Sequence, residues 1–127
     1  MKVTATILNE VEAHRVVVCT GGTSRSIEIP PKQTGRGSSV NGVELMMAAL
    51  ATCYCNDIYR EAAKRKLSIE SVEVEAEAEF EAEGEAAKAV YYRTRVKARA
   101  SEDDIRGLVM HTEKVAEIRT RSERRLP

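Results

Sequence analysis

Residues 41–58, NGVELMMAALATCYCNDI, decide how the rest of the chain is read. Asn41 followed three residues later by Glu44 has the spacing of a helix capping box. From Val43 to Cys55, apolar side chains fall on nearly every face of the helix that follows. Beyond Cys55 the pattern turns amphipathic, with Ile58, Tyr59, Ala62 and Ala63 against Arg60, Glu61, Lys64 and Arg65. The spacing predicts one long helix over 42–67. A helix that is apolar all round has to be covered on all sides, and a single chain of 127 residues is hard pressed to do so. A homodimer is the expectation.

On the N-terminal side, residues 2–8, 13–20 and 24–29 are β-rich and partly alternating, and Gly21-Gly22 marks a tight turn. They predict an antiparallel meander followed by a Pro/Gly/Ser-rich loop, together spanning 1–41. On the C-terminal side, residues 71–83 alternate strictly, with Glu73, Glu75, Glu77, Glu79, Glu81 and Glu83 on one face. Residues 90–99 alternate as well, with Arg93, Arg95, Lys97 and Arg99 on one face, and a turn containing Gly84 lies between. A hairpin over 71–99, pairing an acidic with a basic outer face, is predicted. The glutamates are not expected to bind metal: carboxylates spaced by two along a strand do not converge on one ion, and matching cations lie on the next strand. Ser101 and Asp104 open a last helix over 102–122, with Ile105, Leu108, Val109, Val115 and Ile118 on its apolar face. The basic tail after it is expected to fray, its cations complementing a helix C-terminus. The element order makes the chain a single α+β domain.

Lysine plus arginine and aspartate plus glutamate each number 20, so nothing draws the chain as a whole to nucleic acid or to a membrane. Charged residues make up 31%, above the usual quarter, which makes for a well-solvated surface. No run of apolar residues is long enough to span a bilayer. The opening MKVTATILNE has no signal-peptide core. With three cysteines, an odd number, a reducing cytoplasmic setting with free thiols is expected.

Cys53 and Cys55 are either core filler or chemistry. Two residues apart on a helix, they point about 200° from each other, so they neither chelate one ion nor form a disulfide with each other. No C-x-x-C or H-x-x-x-H is present, and no cofactor is expected. Cys53 lies too far into the helix for its N-terminal dipole to favour a thiolate, and burial alone raises a thiol's pKa. On local sequence, Cys53, Cys55 and Cys19 are small hydrophobes.

A wider pattern changes that weighting. The Gly/Ser-rich loop, the helix start NGVELMMAALATC, the helix continuation through AAKRKLSI and the long strand SVEVEAEAE resemble the OsmC and organic hydroperoxide resistance (Ohr) superfamily. The resemblance runs from the first strands to the last helix. It implies an intertwined α+β homodimer whose antiparallel sheets wrap the two buried central helices. It also places Cys53 at the family's peroxide-attacking cysteine. That cysteine becomes a sulfenic acid, and a second cysteine on the last helix resolves it as a disulfide.

The sequence departs from that scheme in three places. Val115-Ala116 stand where the resolving Cys-Pro pair is expected. The family's catalytic glutamate, ten residues before the first cysteine, falls on Val43, with Glu44 one residue later. Arg15, Arg25 and Arg36 are all available as the thiolate-stabilising arginine, and no motif selects one. The resemblance therefore implies a single-cysteine, weak thiol peroxidase served by an external thiol reductant. Its candidate catalytic residues are Cys53, Cys55 and Glu44. The alternative is a non-catalytic or stress-associated dimer that holds an apolar small molecule, with Met46, Met47 and Tyr54 in its pocket.

Overall fold

The structure is a computed structural model and describes residues 1–80, 89–115 and 122–124. The chain divides into two compact units, Met1–Leu45 and Met46–Pro127.

The first unit is a meander. Strands β1 (Val3–Glu10) and β2 (Ala13–Thr20) pair antiparallel across the two-residue turn Val11-Glu12, and β2 pairs with β3 (Thr23–Glu28) across Gly21-Gly22. Both glycines have positive φ, 55° and 87°, as the tight hairpin turn that suits strand twist requires. Asn9 holds the loop that follows: its Oδ1 accepts the Gly37 N–H at 3.2 Å, and its Nδ2 lies 3.0 Å from His14 Nδ1. Much of the sheet's apolar surface is bare, including Val3, Ile7, Leu8, Val17 and Ile27.

Helix α1 (Gly42–Lys64) begins at the predicted capping box. The Asn41 Oδ1 accepts the Glu44 N–H at 2.8 Å, and Glu44 Oε1 accepts the Asn41 N–H at 3.1 Å. The helix ends three residues earlier than predicted. Lys66 takes a left-handed φ of 57°, Leu67 N donates to Ala62 O at 3.0 Å, and Lys66 N donates to Ala63 O at 3.1 Å. This is the Schellman stop, made here without the usual glycine.

The second unit packs α1 against a sheet of β4 (Ile69–Glu79), β5 (Ala89–Ala98) and β6 (Ser122–Arg124), together with α2 (Glu102–Val115). Its core is Tyr54, Ile58, Ala62 and Leu108, with Leu67, Ile69, Val72, Val74 and Val96 against them. The charged hairpin is as predicted: Glu73 faces Arg95, Glu75 faces Arg93, and the glutamates of β4 are exposed while Val72, Val74, Ala76 and Ala78 turn inward. The predicted turn at Gly84, with Glu81 and Glu83, lies outside the described residues. Ser101 Oγ caps α2 by accepting the Asp104 N–H at 3.1 Å.

Two expectations are corrected. The last helix does not run to residue 122: α2 is assigned to Val115, and Ser122–Arg124 form a strand rather than a frayed tail. The cause is tertiary, since β6 pairs in parallel with Val90–Tyr92 of β5. Ala116 and Ile118 lie outside the described residues. The second correction concerns the faces of α1. Its buried residues are Tyr54, Asp57, Ile58, Glu61 and Ala62, a stripe at three- and four-residue spacing, while Tyr59 and Ala63 are exposed. Glu61 is therefore a core residue and not part of the solvent face. No helix among the described residues is long and apolar enough to cross a membrane.

Candidate functional site around Cys53

Cys53 lies midway along α1, half-buried at the margin of the buried stripe. Cys55 is half-buried as well, and its place on the same helix turns it about 200° away from Cys53. Cys19 lies on β2, in the first unit. None of the three is in a disulfide. Glu44 precedes Cys53 by nine residues, about 13 Å of helical rise, and its carboxylate is engaged in the cap.

Tyr54 fixes the turn of helix that carries Cys53. It is 8% exposed, stacks on Tyr92 of β5 with ring centroids 5.4 Å apart, and donates its hydroxyl proton to Val109 O of α2 at 3.4 Å. That pins α1 to both the sheet and α2. Met46 is exposed and Met47 half-buried.

One turn beyond Cys53, and on its face of the helix, is Asp57; one turn further is Glu61. Their side chains are only 4% and 3% exposed. Buried carboxylates persist when paired and hydrogen-bonded, and both are. Arg60 reaches back with Nη1 2.8 Å from Asp57 Oδ1 and Nε 3.3 Å from Glu61 Oε2. Lys64 Nζ lies 3.0 Å from Glu61 Oε2, and His111 Nε2 of α2 lies 3.0 Å from Glu61 Oε1. The hydrogen bond from Lys64, reinforced by Arg60 and His111, holds the Glu61 carboxyl below its ordinary value of 4.5, against burial pushing it up. Glu61 thus ties α1 to α2 through His111. Reading Glu61 with the solvent face missed this. Asp57 and Glu61 lie on one stripe with Tyr54, Ile58 and Ala62, within about 140° around the axis, but which stripe is buried is decided by the sheet and α2.

A strand-rich first unit, a long capped helix bearing a mid-helix cysteine, and a second hairpin with a last helix define an OsmC-like α+β architecture. Residues 35–124 match the family model described as OsmC-like protein, and the chain belongs to that family. The fold matches solved structures across nearly the whole chain. An organic hydroperoxide resistance protein OsmC from Legionella pneumophila is 20% identical, with 99% of this chain and 95% of that one covered, at a TM-score of 0.63. The organic hydroperoxide resistance protein OhrB of Bacillus subtilis is 20% identical, with 98% and 94% covered, at 0.56. An OsmC-like protein of unknown function from Vibrio cholerae is 16% identical, with 99% and 97% covered, at 0.64. No curated protein matches the chain.

Proposed function

We propose that this chain is a cytoplasmic, single-cysteine thiol redox protein that acts slowly on organic hydroperoxides, with Cys53 as its nucleophile. The observation that carries this is the position of Cys53 within the family match, on a helix turn locked by Tyr54 to Tyr92 and Val109. The Cys53 thiolate attacks the peroxide oxygen, the O–O bond breaks, and the departing alkoxide takes a proton to leave as an alcohol. Sulfur is oxidised by two electrons to a sulfenic acid. The chain has no cysteine beyond Cys55, so α2 offers no resolving thiol. An external thiol therefore condenses with the sulfenic acid, releasing water, and a second one frees Cys53 by thiol–disulfide exchange. Cys55 is the lesser candidate because it faces away, and Glu44 contributes by fixing the start of α1.

The proposed assembly is a homodimer. Val43, Leu45 and Met46 of α1 and the open apolar surface of the β1–β3 sheet support it, since monomers seldom leave such surface bare.

Intact-mass analysis after brief exposure to an organic hydroperoxide, with a sulfenic-acid trap, tests the chemistry. Trapping is expected in the wild type and in Cys55→Ser, and is expected to vanish in Cys53→Ser. If the wild type shows no trapping, and Cys53 in the folded protein is also slow toward a general thiol reagent, the chemistry is wrong. The non-catalytic, ligand-holding dimer then replaces it, as the missing cysteine on α2 already favours.

A further inference from the structure

Asp57 and Arg60 carry charge that the chemistry above leaves unused. Residues four apart on a helix have Cβ atoms about 5–6 Å apart, and helical side chains lean back toward the N-terminus over the preceding turn. Asp57 therefore leans over the turn that carries Cys53. Its side chain is 4% exposed and paired with Arg60, whose Nη1 lies 2.8 Å from Asp57 Oδ1. Water screens a charge so placed poorly.

The order of charges along α1 fixes the sign of their effect. On helical rise Asp57 lies about 6 Å beyond Cys53, and Arg60 about 10 Å beyond it. The Arg60 guanidinium is held between two carboxylates, with Nη1 on Asp57 and Nε 3.3 Å from Glu61 Oε2. Lys64 serves Glu61 as well. From the elements packed against α1, His111 of α2 reaches Glu61 at 3.0 Å, and Tyr92 of β5 stacks on Tyr54. The cations of this network gather around Glu61, two turns from Cys53, and its member nearest the thiol is a carboxylate.

We propose that the Asp57–Arg60 pair governs the ionisation of Cys53: Asp57 holds it as a resting thiol, and Arg60 tempers that hold. A thiolate one turn from a carboxylate is disfavoured as a like charge, and the guanidinium beyond offsets part of the cost. Asp57 is in this sense a positioning residue and not a catalytic one. The bearing on hydroperoxides rests on the reading of Cys53 as the nucleophile, and deepens it by giving slow chemistry a cause within the helix. The effect on the thiol itself holds for any electrophile.

The pH profile of Cys53 alkylation by iodoacetamide, an uncharged reagent, tests this. The full chain carries Cys19→Ser and Cys55→Ser as the parent, so that intact mass counts one thiol. The midpoint of the profile reads the thiolate fraction, whereas a change of access moves its plateau. Asp57→Asn is expected to lower the midpoint by about one pH unit, about tenfold more thiolate below it. Arg60→Gln is expected to raise it by about half a unit, since the cation is the farther charge, and Arg60→Lys to restore it. Loosening of the fold would carry both variants toward the ordinary thiol value, so opposite shifts are the signature of charge. A midpoint in Asp57→Asn at or above the parent's overturns the proposal, as does one in folded Arg60→Gln at or below it. If circular dichroism shows Arg60→Gln unfolded, Asp57→Asn decides alone. The hydroperoxide trapping experiment is read separately. Shifted midpoints without trapping sink the peroxide chemistry and leave this proposal standing, and trapping with unmoved midpoints does the reverse.

Discussion

Glu61 shows how a single carboxylate is placed where its type is rarely found. The side chain is 3% exposed, yet Lys64, Arg60 and His111 satisfy it. Its folded pKa is depressed. Ionised Glu61 therefore adds stability that is fully present above its ordinary value of 4.5 and is lost as pH falls through the lower folded value. The urea midpoint of the wild type is expected to drop on acidification through the carboxylate range. Glu61→Gln should start lower at neutral pH and show a shallower acid drop. Equal acid drops in the two proteins would mean that the charge of Glu61 carries no part of the effect. The place of Cys53 midway along a long helix was legible in the sequence, whereas the burial of Glu61 was not. A glutamate between an arginine and an alanine reads as solvent-facing until the phase of the buried stripe is known, and that phase is set by the sheet and α2.

At the level of elements, local signals were readable and distant ones were not. The capping box of α1 depends on four consecutive residues, and both of its hydrogen bonds are present. Asn41→Ala is expected to cost about 1 kcal/mol, seen as a lower urea midpoint at unchanged slope; Asn41→Asp should retain most of it. The stop of α1 was harder to see, because Lys66 holds the left-handed position that glycine normally marks. The charged hairpin was legible because its alternation is strict over two neighbouring segments. Strand β6 was not, since Ser122–Arg124 carry no strand pattern of their own and owe their form to the backbone edge at Val90–Tyr92, about thirty residues earlier.

For the molecule as a whole, the sequence pointed to a helix needing more cover than one chain provides. In the structure Val43, Leu45 and Met46 are 43%, 36% and 45% exposed. Sedimentation at micromolar concentration is expected to give a dimer, and Met46→Glu to shift it toward monomer with the helical content kept. A clean wild-type monomer would remove the proposed assembly. The family and the antiparallel α+β plan could be reached from residue pattern, because the pattern repeats over whole elements. A partner can only be proposed, because the one mark it would leave on the chain is apolar surface that stays uncovered. The first unit adds a consequence for biosynthesis. Its three strands hold Val16 at 7% exposure while Val3, Ile7, Leu8 and Ile27 remain open. Residues 1–45 leave the ribosome first, so these apolar side chains meet the cytosol before the rest of the chain has emerged. An uncovered apolar strand face is a template for mispairing, which makes the meander the part of the nascent chain on which chaperones are expected to act.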